Sequence, residues 1–272
     1  MPPIIDTLPV PDHVCEKKLI VTAKSRTGTF SLYQALKMLG FRPYHMYEVV
    51  QGGPKHMAIL EDAVKAKYFG IGKPYGKAEF DKWFAEYDAI IEVTPVLLDD
   101  LVACYPDAQF MHMERDVEAW YHSMDNTGGP MFAACDKFPL KQMRLIDNFV
   151  DKFCSLHLTL ESFWTEGKPW PEGKDVCVRE YLNTNKRVRE LIPADNLAIF
   201  KLENGFGWDE ICPYLKKPIP ETPYPRGNAP AEFKKLADEV LSPAFRRAAL
   251  FVTTSVLVPV ISAGLWCYTS SN

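Results

Sequence analysis

A short loop between a predicted strand and a predicted helix carries the residue types that best suit anion binding. The loop follows the apolar run Lys18–Thr22 and contains Lys24, Arg26 and Gly28 among several hydroxyl side chains. Apolar residues then recur at helical spacing over Thr29–Leu39. A strand, a loop and a helix in this order direct backbone N–H groups and the positive end of a helix dipole toward an anion. The sequence therefore predicts a site for a phosphate-like or sulfate-like group.

The loop lacks the ending of a Walker A motif. That motif closes with Gly-Lys-Ser/Thr, because its Lys reaches the terminal phosphates and its hydroxyl holds magnesium. Here Gly28 is followed by Thr29 and Phe30, and the cation Arg26 precedes the glycine. ATP or GTP hydrolysis of the usual kind is therefore disfavoured.

Strands and helices are predicted to alternate along the chain, and this order indicates the fold class. Further strands are predicted at Asp88–Val93, Gln109–Met113 and Asn196–Lys201. The remaining predicted helices are His56–Lys67, Pro95–Cys104, Asp116–Met124, one long helix over Lys141–Trp164, Lys174–Leu191 and Trp208–Leu215. The alternation predicts an α/β fold, in which a P-loop-type parallel sheet is covered by helices on both faces. Ligands are expected at the carboxyl ends of the strands.

Overall composition excludes several function classes. The 272 residues include 31 Lys and Arg against 35 Asp and Glu, so the net charge is −4 and no nucleic-acid partner is expected. The seven cysteines form no CxxC pair and are odd in number. This pattern argues against a disulfide framework and a zinc site, and favours reduced thiols and no bound metal.

The C-terminal segment differs from the rest of the chain because residues 248–272 carry no charge. Residues 249–268 are long enough to cross a bilayer and follow Arg246 and Arg247, so we expect a membrane-spanning apolar helix with the catalytic domain in the cytosol. A terminal helix packed on the domain is the alternative. The predicted division is an extended lead-in over 1–17, an α/β domain over 18–245, and a membrane anchor over 246–272. The Pro-rich stretch 218–230 is predicted to be a surface arm that does not pack.

Residues 18–46 resemble the 5′-phosphosulfate loop of sulfotransferases, most closely in the branch common in fungi. The loop of that branch is Gly-Arg-Thr-Gly-Thr-x-Ser-Leu, and the matching positions here run from Ser25 to Leu32. The pair His45-Met46 also follows the branch. In the second block of similarity, Arg115 ends a predicted strand and Ser123 lies eight positions further on.

The resemblance implies a fold, a co-substrate and a set of contacts. In sulfotransferases an Arg and a Ser with this spacing grip the 3′-phosphate of 3′-phosphoadenosine 5′-phosphosulfate (PAPS). The implied PAPS-binding residues are Ser25, Arg26, Thr27, Gly28, Thr29, Phe30, Ser31, Arg115 and Ser123. Arg26 is expected to stabilise the leaving phosphate by charge alone, since arginine does not release its proton at neutral pH. Lys24 departs from the branch, and either adds charge to the loop or points to water.

Three residues are candidates for the general base that would deprotonate an acceptor hydroxyl. Glu92 ends the second predicted strand, but it lies one residue before the place where the branch carries its acid. A one-residue offset turns a strand side chain to the opposite face, unless a bulge restores it. His45 has an ordinary pKa suited to proton transfer. His112 lies in the middle of a strand and is expected to be structural.

The leading functional hypothesis is a PAPS-dependent sulfotransferase that acts on a small, lipophilic hydroxyl acceptor. The aromatic and methionine side chains that are candidates for an apolar acceptor pocket are Met46, Tyr47, Trp83, Phe84, Phe132, Trp164 and Trp170. The alternative is a catalytically degenerate P-loop-fold protein that binds ligands while tethered to a membrane. A nucleotide-dependent kinase or NTPase is a third hypothesis, which the missing Walker A ending disfavours.

Overall fold

The computed structural model describes residues 3–227 and 230–270 of the chain. Within them, a sheet of parallel strands forms the centre of the molecule in the order β2-β3-β1-β4-β5. The strands are β1 Leu19–Val21, β2 Pro43–Tyr44, β3 Ala89–Ile91, β4 Gln109–Glu114 and β5 Leu197–Lys201. The chain therefore has the parallel α/β sheet that the alternating sequence pattern predicts, with short β2 as an added edge strand.

Helices connect the strands and extend the chain beyond the sheet. They are α1 Thr29–Met38, α2 Met46–Gln51, α3 Gly53–Tyr68, α4 Lys77–Trp83, α5 Thr94–Cys104, α6 Val117–Asp125, α7 Gly128–Cys135, α8 Leu140–Met143, α9 Asn148–Thr165, α10 Lys174–Leu191, α11 Trp208–Leu215, α12 Pro230–Val252 and α13 Val258–Ser270. The prediction from sequence did not include α2, α4, α7 or α12.

Helices cover both faces of the sheet. Successive strand side chains point to opposite faces, and the buried residues divide accordingly. On one face Ile20, Ile90 and Phe110 pack in a cluster with side chains of α3 and α9. On the other face Val21, Ile91 and Met111 pack with side chains of α1 and α11. The central strands β1 and β3 are apolar throughout because both of their faces are buried.

The stretch predicted as one long helix over Lys141–Trp164 is two helices. The short helix α8 ends at Met143, and α9 begins at Asn148 after Asp147 caps its first turn. The Asp147 carboxylate accepts a hydrogen bond of 3.1 Å from the Val150 N–H. An Asp side chain that captures a free N–H group favours a helix start over a continuing helix. The prediction of one helix was wrong because it followed the apolar stripe and ignored this cap.

The Pro-rich stretch after α11 packs against the domain, contrary to the prediction for 218–230. Up to residue 227 it forms no helix or strand. Its Tyr224 ring nevertheless contacts the Phe206 and Trp208 rings at centroid distances of 5.8 and 5.1 Å. The Gly227 N–H donates a hydrogen bond of 3.0 Å to Ser31 Oγ at the start of α1. The stretch therefore holds the beginning of α12 close to the anion-binding loop.

The C-terminal segment does not form the predicted membrane-spanning helix. The apolar residues of 249–268 are divided among the end of α12, a π-helix over Thr253–Leu257, and α13. In the part of the chain that the structure describes, no helix is both long enough and apolar enough to cross a membrane.

The C-terminal half of α12 packs on the α/β domain. Ala244 is fully buried in the core cluster that contains α9. Arg247, predicted to flank a membrane span, donates a hydrogen bond of 2.7 Å to the Asp147 carboxylate. Burial raises the pKa of Asp147, but the Arg247 guanidinium and the Val150 N–H outweigh it and hold that pKa below its ordinary value. Asp147 thus joins α12 to the first turn of α9.

We expect Asp147→Ala to lower the free energy of unfolding by about 1–2 kcal/mol, because it removes a helix cap and an ion pair together. Arg247→Ala should lower it by less than about 1 kcal/mol, since the Arg247 side chain is 55% exposed and its pair is screened by water. Urea unfolding measures both changes. Asp136→Ala, at an exposed carboxylate, is the control. Equal losses in the two variants would contradict the assignment of Asp147 as a cap.

Candidate active site

The anion-binding loop follows β1 and takes two backbone conformations that are rare for most residues. Arg26 has φ +74° and Gly28 has φ +93°. A Cβ atom at Gly28 would approach Leu202 Cδ1 to 3.1 Å, so glycine fits both the backbone angle and the space. A non-glycine residue in this region costs about 1–3 kcal/mol and persists where the surroundings hold it. The conformation of Arg26 is therefore a property of the site and not of the local sequence.

Neighbouring side chains hold the loop in place. The Trp120 indole N–H donates a hydrogen bond of 2.9 Å to the Ser25 carbonyl, and the Thr27 hydroxyl donates one of 2.7 Å to the Lys24 carbonyl. The N-cap of α1 is Gly28, which has no side chain to cap the helix. Since the first N–H groups of a helix have no partner within it, this end of α1 can receive an anion.

Arg115 and Ser123, predicted to bind a phosphate, lie beside the loop. Arg26 Nε donates a hydrogen bond of 3.1 Å to Ser123 Oγ, and Arg115 Nη1 donates one of 3.0 Å to the Arg26 carbonyl. Tyr181 fixes the backbone of Arg115, since its hydroxyl bonds both the N–H and the carbonyl of that residue at 2.8 Å. The structure therefore brings the three predicted residues into one network. Their roles in binding stay predictions.

Glu92 lies immediately after β3, in a tight turn that redirects its side chain. Its φ is +67°, and the Val93 N–H donates a hydrogen bond of 2.8 Å back to the Ile91 carbonyl. A hydrogen bond between residues two apart, with a positive φ at the residue between them, defines the rare and strained form of the γ-turn. The Thr94 hydroxyl locks the turn by donating to the Val21 carbonyl at 2.6 Å. The expected reversal of the Glu92 side chain does not apply, because the residue has left the strand.

The Glu92 carboxylate receives several hydrogen-bond donors. The Ser25 hydroxyl donates to Oε1, while Oε2 faces the Thr29 hydroxyl at 3.3 Å and His45 Nε2. Burial raises the pKa of Glu92, but His45, the Ser25 hydroxyl and the Arg26 guanidinium outweigh it and hold that pKa below its ordinary value. The side chain is 9% exposed. Glu92 is therefore a carboxylate at neutral pH, although it is deeply placed.

His45 supports Glu92 and also begins a helix. Its Nδ1 accepts a hydrogen bond of 2.9 Å from the Tyr47 N–H, as the N-cap of α2. A neutral imidazole whose Nδ1 is an acceptor carries its proton on Nε2, the atom that faces Glu92. Neither nitrogen is then free to take a proton from an acceptor molecule. His45 thus holds the Glu92 carboxylate in position, and the role of either residue as a base stays a prediction.

An apolar cavity of about 160 Å³ opens from the loop and Glu92. Ser25, Arg26 and Thr29 form one end of it, and most of the remaining wall is apolar. Of the aromatic and methionine candidates from the sequence, Met46, Tyr47, Phe132 and Trp164 line the cavity. The other three, Trp83, Phe84 and Trp170, are buried in core clusters away from the cavity wall.

Helix α12 closes part of the cavity, and sequence reasoning missed this wall. Its lining residues Phe233, Leu236, Ala237 and Val240 recur at helical spacing. This helical spacing is the signal for α12 in the sequence. It lies between the Pro-rich stretch and the apolar tail, and neither of these predicted segments includes it. The Arg26 guanidinium lies 5.3 Å from the centre of the Phe233 ring, within the range of a cation–π contact. The helix thus reaches the loop itself.

His112 is structural, as the sequence predicts. It is 1% exposed within β4, and its two ring nitrogens lie 2.6 Å from the Thr22 carbonyl and 3.2 Å from Asn185 Oδ1. Among the residues that the structure describes, no group of His, Cys, Asp and Glu side chains is arranged to hold a metal ion.

Three comparisons relate the chain to known proteins. The family model described as "Sulfotransferase domain" matches residues 18–233. A curated protein from Aspergillus versicolor, "Ava biosynthesis cluster protein M", is 32% identical over 213 residues, which are 76% of this chain and 79% of that protein. The crystal structure of the sulfotransferase STF9 from Mycobacterium avium is 15% identical, with a TM-score of 0.38, and the match covers 93% of this chain and 79% of that one.

Lys24 does not point to water, so that expectation from the sequence was wrong, while its contribution of charge to the loop stays a prediction. The side chain is 3% exposed. Its Nζ lies 6.0 Å from the Trp120 ring and 5.6 Å from the Trp164 ring. Burial lowers the pKa of Lys24 to about 8, since a charged ammonium is disfavoured away from water.

We expect Lys24→Met to raise the free energy of unfolding at pH 7. An unfolded lysine keeps its proton up to about pH 10.4, whereas folded Lys24 loses it near pH 8. The unfolded chain therefore binds more protons between these values, and wild-type stability rises with pH across that window by an amount on the order of 3 kcal/mol. The variant should lack this rise.

Urea unfolding of both proteins at several values between pH 7 and pH 10.5 measures the difference. Lys137→Met, at an exposed lysine, is the control for changes that arise elsewhere. Parallel curves of unfolding free energy against pH for Lys24→Met and the wild type would contradict the lowered pKa of Lys24.

Proposed function

Because the chain belongs to the sulfotransferase family, as its match to the domain model and to a 32% identical relative shows, we propose that it transfers a sulfuryl group from PAPS to a hydroxyl of a small, lipophilic acceptor. One observation carries the proposal. The anion-binding loop and the Glu92 carboxylate meet at the same end of an apolar cavity. Donor, base and acceptor can therefore share one space.

The donor side of the site fits the chemistry of PAPS. The sulfate and 5′-phosphate would lie against the start of α1, where backbone N–H groups and Arg26 supply positive charge. The 3′-phosphate would lie against Arg115 and Ser123, which flank the loop. A guanidinium fork binds phosphate oxygens through charge-assisted hydrogen bonds. On binding, Arg115 and Ser123 would exchange their present contacts with Arg26 for contacts with phosphate.

The acceptor side supplies a base and an apolar wall. The acceptor hydroxyl would donate to Glu92 Oε1, which already accepts one hydrogen bond from Ser25. As the oxygen attacks, its proton passes to Glu92, the new O–S bond forms, and the bond between sulfur and the phosphate oxygen breaks. Arg26 stabilises the charge that develops on the leaving phosphate. The products are the sulfated acceptor and 3′-phosphoadenosine 5′-phosphate (PAP).

The nature of the acceptor follows from the cavity and from the relative. A wall built mainly of Met46, Phe132, Phe153 and Leu160 favours an apolar molecule over a sugar. The Aspergillus relative is described as a protein of a biosynthesis cluster, which suits a small-molecule acceptor. The catalytically degenerate alternative depends partly on a displaced acid, and the turn that brings the Glu92 carboxylate to the cavity supports the enzyme instead.

We also propose that the catalytic domain works in the cytosol. The described cysteines, among them Cys135, Cys154 and Cys177, are free thiols. Thiols persist in reducing compartments, whereas disulfides are typical of secreted domains.

We expect Arg115→Ala to weaken binding of PAP by about tenfold or more, since a charge-assisted hydrogen bond contributes about 1.5–3 kcal/mol. Binding of adenosine 5′-phosphate, which lacks the 3′-phosphate, should change little. Titration calorimetry with both nucleotides measures the two affinities. Arg179→Ala, at a surface pair with Glu166, is the control. Equal losses of affinity for the two nucleotides, or no loss for either, would contradict the proposed contact between Arg115 and the 3′-phosphate.

We expect Glu92→Gln to lower the rate of sulfuryl transfer by at least about a hundredfold, in line with loss of a general base, while PAP binding is preserved. His45→Asn should lower the rate less. Because His45 helps to lower the pKa of Glu92, its loss raises that pKa, and the acid limb of the pH–rate profile should move to higher pH.

Transfer of ³⁵S-labelled sulfate from PAPS to a panel of phenols and alcohols measures these rates. Glu172→Gln, at an exposed carboxylate, is the control. Full activity in Glu92→Gln would exclude Glu92 as the base. A greater loss in His45→Asn, with an unmoved acid limb, would assign that role to His45 instead.

A further inference from the structure

His157 lies on α9 and lines the acceptor cavity, although neither the sequence pattern nor the proposed chemistry includes it. Its Nδ1 lies 2.7 Å from the Phe153 carbonyl of the preceding helical turn. A carbonyl only accepts, so Nδ1 carries the proton and Nε2 carries a lone pair. Since Nδ1 is turned back to its own helix, the opposite ring edge with Nε2 is directed away from the α9 backbone.

The ring of His157 is fixed in an apolar setting. It packs against the Phe153 ring at a centroid distance of 4.1 Å and against the Phe132 ring at 6.1 Å. Burial lowers the pKa of His157 to about 4, so the ring is neutral at physiological pH. The residue thus offers the cavity a fixed hydrogen-bond acceptor and no charge.

A second polar group lies on the same helix two turns further on. Trp164 lines the cavity, and its buried indole N–H has no hydrogen-bond partner among the residues that the structure describes. Buried polar groups are nearly always paired, because an unpaired one loses its hydration without compensation. Because that N–H is buried even from the cavity, His157 Nε2 is the polar group through which a ligand could contact this wall.

We propose that His157 determines acceptor specificity, with Nε2 accepting a hydrogen bond from a second hydroxyl of an aromatic acceptor whose first hydroxyl is presented to Glu92. The inference rests on the proposed function, because it names the substrate class of the same site. A cavity of about 160 Å³ is close to the roughly 150 Å³ that holds one benzene ring. The substrate class is a phenol with at least two hydroxyl groups.

Four single-ring probes test the proposal: phenol, catechol, resorcinol and hydroquinone. For the wild type, we expect kcat/KM of sulfuryl transfer to be at least about tenfold higher for one dihydroxybenzene than for phenol, after correction for its two reactive groups. The isomer that is preferred reports the spacing between Glu92 and His157. No preference for any isomer would overturn the proposal.

Two substitutions separate hydrogen bonding from packing. His157→Leu fills similar space without an acceptor, so the preference should fall to about one, with a much larger loss of kcat/KM for the preferred isomer than for phenol. His157→Gln keeps an acceptor oxygen and should recover part of the preference, mainly through KM. His13→Gln, at an exposed histidine outside the cavity, is the control. Equal losses for phenol and the preferred isomer in His157→Leu would indicate a structural role and overturn the proposal.

Binding measured without turnover keeps the two proposals distinguishable. Quenching of tryptophan fluorescence by the same four probes gives their affinities in the wild type and in His157→Leu, with PAP present. A dihydroxybenzene that binds through His157 but receives no sulfate from PAPS would support the contact and overturn the proposed reaction. Transfer to phenols with affinities that ignore His157 would support the reaction and overturn the contact.

Discussion

The arrangement of the site depends on one buried carboxylate at the end of a strand. Glu92 occupies a left-handed turn that an unbranched acidic side chain adopts only at a cost. The cost is offset because Ser25, Thr29 and His45 converge on its oxygens. Those three residues come from the loop, from α1 and from the start of α2. A single negative group thus fixes the relative positions of the anion-binding loop and one wall of the cavity.

Positive side chains are concentrated at the anion-binding loop, although the chain as a whole is negatively charged. The net charge is −4. Arg26 nevertheless belongs to the loop, and Arg115 donates a hydrogen bond to the Arg26 carbonyl. Partial burial strengthens their effect on an anion, since the local dielectric is lower than that of water. Lys24 follows a different rule, because it lies between tryptophan rings and has little surface from which to act on a ligand. Position in the fold, and not proximity in sequence, separates the two arginines beside the cavity and loop from the buried lysine.

The C-terminal helix α12 connects the acceptor cavity with the outer surface of the domain. Phe233 near its start reaches Arg26, Ala244 enters the core, and Arg247 pairs with the cap of α9. The sequence boundary expected near residue 245 therefore cuts through a helix whose two ends make different contacts with the domain. A change in this helix would alter both the shape of the cavity and the anchoring of α9.

The sequence by itself determined the order of the parallel α/β elements, because apolar runs that are buried on both faces and helical periodicity are local signals. The resemblance to sulfotransferases identified the loop from Ser25 to Ser31 together with Arg115 and Ser123, and the structure brings these residues together through Arg26. Tertiary structure alone decided the direction of Glu92, because a left-handed turn has no signature in a glutamate. It likewise decided the burial of Lys24, the wall formed by α12 and the place of His157. These features depend on contacts between residues distant along the chain, and hydrophobic periodicity records only that a face is buried and not what covers it.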